Sequence, residues 1–122
     1  MPVRIKQKHI YKGSVTPSAL NTETNIIDLG DFSNDIIMEG HIDFGNLASG
    51  EKAVLKLYIA IDGTNRRQYG KVEVTGDDED KIARIESMTL PNDAKPRVTI
   101  TQLNGSLRAF PYYIVIYELE EI

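Results

Sequence analysis

Three side chains in "IIMEGHIDF" (36–44) have the types and spacing for chemistry: Glu39, His41 and Asp43. At i, i+2 and i+4 of an extended chain they project from one face. Two carboxylates flanking an imidazole in this way could hold a metal ion or tune a proton donor. Polar residues at alternate positions are also what a solvent-facing sheet surface requires, and His9 is the only other histidine. The expected role is an exposed face with modest ion pairing, with a metal site as the alternative. A second cluster, "GDDEDK" (76–81), offers Asp77, Asp78, Glu79 and Asp80, hard oxygens of the kind calcium takes. Consecutive residues cannot all turn toward one ion, and the alternating ligands, central glycine and distant glutamate of an EF-hand are missing. This segment reads as a solvated connection that keeps strand edges apart.

Nucleophilic chemistry has less to stand on. Cysteine is absent, which removes thiolate nucleophiles, thiolate zinc sites and disulfides. The serines sit in no GxSxG elbow, and no glycine-rich phosphate loop occurs. No enzymatic activity and no cofactor are expected. Tyr58, Tyr69, Tyr112, Tyr113 and Tyr117 could offer rings for stacking on a glycan, although tryptophan is absent and tyrosine in a strand commonly packs its ring and wets its hydroxyl. Arg66, Arg67 and Arg108 read as solvated charge.

The elements that must position these residues are strands. In 36–44, Ile36, Met38, Gly40, Ile42 and Phe44 alternate with Ile37, Glu39, His41 and Asp43, which predicts a half-buried strand. "AVLKLYIAID" (53–62) puts Leu55, Leu57, Ile59 and Ile61 on one face and is partly apolar on the other, as a central strand would be. Asp62 and Gly63 then predict a tight hairpin into 66–76. "KIARIESMTL" (81–90) fits a helical face through Ile82, Ile85 and Met88, but its neighbours and the "LPND" turn favour an extended chain. Asn104-Gly105 between "PRVTITQL" (96–103) and "LRAFPYYIVIYEL" (107–119) predicts a second hairpin with a type I′ turn, and Pro111 predicts a bulge or bend in its second arm. Segments 3–10 and 22–29 add two strands. About eight strands joined by Gly, Asn, Asp and Pro turns predict one all-β domain over 1–122, an antiparallel β-sandwich or jelly roll.

Composition agrees with a folded domain: 122 residues, 41% hydrophobic, 26% charged. Fourteen basic against 18 acidic residues leave a net charge of −4, which disfavours nucleic acid and anionic membranes as partners. The N-terminal "MPVRIKQKHIYKG" lacks the apolar stretch of a secretory leader, so synthesis in the cytoplasm without export by that route is expected, which still permits exposure outside a cell on a particle released by lysis. That segment alternates polar and apolar residues and is expected to pack incompletely on its own core. Residues 1–12 are therefore a candidate arm, with Val3, Ile5, Ile10 and Tyr11 as interaction residues, while Lys56, Lys71, Glu73 and the C-terminal "ELEE" shield strand edges.

Two stretches, 40–76 and 97–119, resemble a loose group of small β-sandwich proteins of tailed viruses, proviruses and environmental archaeal or bacterial sequences. The likeness lies in Ile42-Asp43, Leu47 to Gly50 ("LASG"), Ile61 to Gly63 ("IDG"), Tyr69, "TITQ" (99–102), Gly105, Arg108, Phe110 and Tyr112. "GDDEDK" and "AKPRVTI" fall outside the pattern. The resemblance implies a virion component without enzymatic activity, such as a capsid decoration or minor capsid protein, bound to itself or to a major capsid or tail protein. The alternative from the residues is a glycan-binding or adhesion module using Tyr58, Tyr69 and Tyr112.

Overall fold

A computed structural model describes residues 2–121. Among these residues the chain forms eight strands: β1 (Val3–Val15), β2 (Thr24–Asp28), β3 (Ile36–Asp43), β4 (Lys52–Ala60), β5 (Arg66–Thr75), β6 (Ile82–Leu90), β7 (Arg97–Gln102) and β8 (Phe110–Glu121). They make two four-stranded antiparallel sheets, ordered β1-β8-β3-β6 and β2-β7-β4-β5. The segment with an ambiguous period, 81–90, is extended, and β4 is central in its sheet, as expected.

The core lies between the sheets and is built from the residues that the strands turn inward, at alternate positions most clearly in β3. Ile36, Met38 and Ile42 of β3, with Phe44 just beyond it, are fully enclosed, as are Leu55 of β4, Val98 and Ile100 of β7, and Phe110, Ile114 and Ile116 of β8. Burying each such side chain contributes roughly 1.5–3 kcal/mol relative to leaving it in water. Phe44 and Phe110 meet edge to face, with ring centroids 5.5 Å apart. The alternation breaks at the end of β4, where the β4–β5 register shifts between Leu57 and Tyr58. Ile61, assigned to the core face by periodicity, lies past that shift in the connection and is 75% exposed.

Only one of the seven connections, β4 to β5, stays within a sheet; every other one crosses between sheets, the wiring of a jelly roll. The Asp62-Gly63 hairpin is therefore present. Gly63 takes φ 77°, and the Asp62 carboxylate accepts the backbone N–H groups of Thr64 and Asn65 at 2.9 and 2.7 Å. These bonds, with that of the Asn65 amide, hold the Asp62 carboxyl down at about 2.

The Asn104-Gly105 hairpin is not present. β7 is flanked by β2 and β4, and β8 by β1 and β3, so the two arms belong to different sheets. Gly105 has φ 82°, but Asn104 does not have the positive φ that a type I′ turn demands of it. The asparagine side chain instead bridges loops: its Oδ1 accepts Lys52 N–H at 2.8 Å and its Nδ2 donates to Gly50 O at 2.9 Å. Pro111 causes no register shift. It pairs with Ser14 on the β1 side and stands one residue beyond the last β3–β8 pair, so that it has a strand on one side only.

Two further expectations are revised. The N-terminal segment is not a separate arm, because Val3 to Val15 run in register with β8, with one bulge between Ile5 and Gln7. The C-terminal "ELEE" lies on an interior strand and anchors β1: Glu120 binds Arg4 at 2.7 Å, and the buried Glu118 binds His9 Nε2 at 2.8 Å. The His9 bond holds the Glu118 carboxyl below its usual range against the opposing effect of burial.

Candidate assembly surface

Glu39, His41 and Asp43 do share the outer face of β3, but they do not converge. Glu39 accepts a long hydrogen bond from Tyr117 Oη at 3.4 Å, and Asp43 Oδ1 turns back to cap the N–H of Gly45 at 2.7 Å. Among the described residues no group of three or more metal-ligating side chains comes together. In the acidic loop, Asp77 accepts Ser49 Oγ at 2.5 Å and Gly50 N–H at 2.9 Å, and Asp78 accepts Thr75 N–H at 2.9 Å. Ser49 and Gly50 together hold the Asp77 carboxyl below its usual range. Half of this carboxylate run is thus used to fasten neighbouring loops.

Sequence reasoning missed the polar knot at the same end of the sandwich. Buried Glu51 accepts Ala48 N–H at 2.7 Å and Ser106 N–H at 3.1 Å, and receives both Nε and Nη2 of Arg108 at 2.9 and 3.1 Å. Fully buried Gln102 donates to Asn104 O and Ser106 O at 2.9 and 2.6 Å and accepts Arg108 N–H at 2.9 Å. The loops before β4 and before β8 are tied together where the chain crosses between sheets. Of the residues carrying the resemblance, "LASG", Gln102, Gly105, Arg108 and Phe110 all lie here, which gives that pattern a structural meaning. Arg108, read as solvated charge, is one partner of this bidentate pair.

Arg108, followed by the Ala48 N–H, pulls the Glu51 carboxyl down to about 2 from an ordinary 4.5. The folded state thus takes up this proton less readily than the unfolded chain does. The stability Glu51 supplies is complete above pH 4.5 and disappears as pH falls toward 2. The thermal midpoint should fall steeply across that window, and Glu51→Gln should flatten the fall while lowering the midpoint at neutral pH. A parallel acid profile in the variant would assign the titration to other carboxylates.

The tyrosines do not form one platform. Tyr58 donates its hydroxyl to Glu23 and lies under the Arg97 guanidinium, 5.2 Å from the ring centroid. Tyr69 sits at the β-bulge of edge strand β5, while Tyr112 belongs to the other sheet and packs on the core, as does Tyr11. A depression of about 450 Å³ is lined by Asp28, Leu29, Gly30, Thr64, Arg66 and Lys95. Its cations are engaged, Arg66 with Asp28 at 2.6 Å and Lys95 with Asp31 at 2.9 Å.

What remains uncovered is the outer face of the β1-β8-β3-β6 sheet. Val3, Ile5 and Ile10 on β1 are 57%, 53% and 53% exposed, and Ile82 on β6 is 62% exposed. Between them lie Tyr113, Tyr117 and Val115, the last buried although it faces outward, paired with Ile10 on one side and Glu39 on the other. A shallow depression of about 290 Å³ on this face is bounded by Lys12, His41, Asp43, Ile82 and Tyr113, among others. β1 adds an open edge 13 residues long. An uncovered sheet edge beside apolar side chains is a template for another chain.

Comparisons with protein-family models and with curated proteins find no match. Solved structures share the fold. The T=1 particle structure derived from infectious bursal disease virus is 13% identical, with a TM-score of 0.53 over 93% of this chain and 32% of that one. The structure of the Gx strain of the same virus is also 13% identical, with a TM-score of 0.52 over 93% and 34%. A Bacillus endospore appendage that forms disulfide-linked pili is 18% identical, with a TM-score of 0.49 over 94% and 93%. The chain thus spans about a third of the length of the viral chains it matches, and at 13% identity the likeness to them is one of fold.

Proposed function

We propose that the chain is a non-enzymatic structural subunit of a virus particle, acting through protein–protein contacts with its own copies or with a major capsid or tail protein. The observation that carries this reading is the uncovered β1-β8-β3-β6 sheet, with Val3, Ile5, Ile10 and Ile82 in water beside the open edge of β1. A fold held in common with the particle of infectious bursal disease virus is compatible with it. Symmetric repetition in a lattice turns weak single contacts into firm attachment. In this reading the protein is made in the host cytoplasm and ends in the virion.

Light scattering over a concentration series, with and without purified capsids, tests it. The protein should assemble or dock, and Ile5→Lys with Ile10→Lys should raise the apparent dissociation constant roughly tenfold or more, as loss of apolar anchors does. Both positions are exposed, so the unfolding midpoint should hold to within about 0.5 kcal/mol of stability. A protein that stays monomeric at high concentration and ignores capsids would refute the proposal.

A further inference from the structure

We propose that self-association runs head to tail, with basic edge strand β1 of one copy extending the sheet of the next along that copy's β6. The inference rests on the reading of the chain as a self-associating subunit and names the two edges that meet. β1 and β6 are the free edges of one sheet of four antiparallel strands, so they run in opposite directions. A copy displaced sideways therefore brings its β6 antiparallel to β1, and the antiparallel order of the sheet continues across the contact.

Charge excludes the symmetric alternative. β1 carries Arg4, Lys6, Lys8 and Lys12 and no carboxylate, so two β1 strands paired about a twofold axis would set cations against cations. The rest of the chain holds the other 10 of the 14 basic residues and all 18 acidic ones, a net charge of −8 against +4 on β1. β5, another free edge, carries Arg66, Arg67 and Lys71 and repels β1. β2 is only five residues long. Its neighbouring carboxylates are already taken, Asp28 by Arg66 at 2.6 Å and Glu23 by Thr99 at 2.6 Å.

β6 fits. It is nine residues long, with a bulge where Glu86 and Ser87 stand against Glu39 and a regular stretch from Ile82 to Ile85, follows the acidic run Asp77 to Asp80, and presents Glu86 unpaired among the described residues. Setting Lys8 opposite Glu86 places Ile10 by Arg84 and Lys12 by Ile82, with Glu79 and Asp80 just past Lys12. The exposed apolar side chains of both edges, Ile10 and Ile82, then lie as diagonal neighbours on the same outer face. Because the joined surfaces differ, the contact builds a ring or a filament rather than a closed twofold dimer.

The absence of cysteine makes a direct test available. Lys8→Cys and Glu86→Cys proteins, one carrying a mass tag, are mixed at assembling concentration and oxidised with copper phenanthroline. Directly opposed strand positions come within disulfide reach, so the mixed dimer should exceed either homodimer several-fold on a non-reducing gel. Lys8→Glu alone should weaken assembly in light scattering, and adding Glu86→Lys should restore it. Dominant Lys8→Cys homodimers would show a symmetric β1 contact, and assembly with no mixed cross-link above a Lys56→Cys control would place the contact elsewhere. Either result overturns the head-to-tail contact while self-association stands. A wild-type chain that stays monomeric overturns both.

Discussion

Gly105→Val should lower the unfolding midpoint by roughly 10 °C, with no change in the secondary-structure signal below the transition. The left-handed backbone at φ 82° costs a residue with a side chain roughly 1–2 kcal/mol, and a β-branched residue tolerates it worst. A Cβ here would also overlap the Glu51 carboxylate, which must then move away from Arg108 and Ser106. At about 3–6 °C per kcal/mol for a domain of this size, the two effects together reach that fall. A cycle with Glu51→Ala separates them, because clearing the carboxylate should leave valine with its backbone cost alone. Full additivity would mean that Gly105 and Glu51 do not press on one another. The Asn-Gly dipeptide makes the same glycine sensitive in a type I′ hairpin, but a hairpin gives Glu51 no part in the effect.

Phe110→Ala should cost about 3–5 kcal/mol, read as a lower urea midpoint at unchanged m. The ring is fully enclosed against Phe44 at the point where the chain enters β8 from the opposite sheet. The loss should therefore be felt in both sheets at once. Ile61→Ala is the matched comparison, since alternation assigns it to the core and the structure leaves it 75% exposed. It should change stability by no more than about 0.5 kcal/mol. Similar losses at the two positions would mean that Ile61 is covered in solution.

The sequence by itself determined which segments are strands and which of their faces are buried. Alternation at 36–44 separates Ile36, Met38 and Ile42 from Glu39, His41 and Asp43, and the structure keeps that division. Period two is a property of the extended backbone and needs no partner, so it is legible in one chain. Asp62-Gly63 was legible for the same reason, since the aspartate satisfies its own loop within three residues. Only the tertiary structure decided which strands are neighbours. Asn104-Gly105 favours a reversal, but β7 and β8 each have both flanks filled by other strands, and pairings made far along the chain outweigh a local turn preference. The knot of Glu51, Gln102 and Arg108 was hidden because its members stand up to 57 residues apart and none is unusual where it stands. The N-terminal segment showed its alternation, but not that Glu118 and Glu120 would hold it to β8 and leave its other edge open. That edge is set by the order of strands in the sheet, which depends on every strand's competition for partners and is written in no single segment.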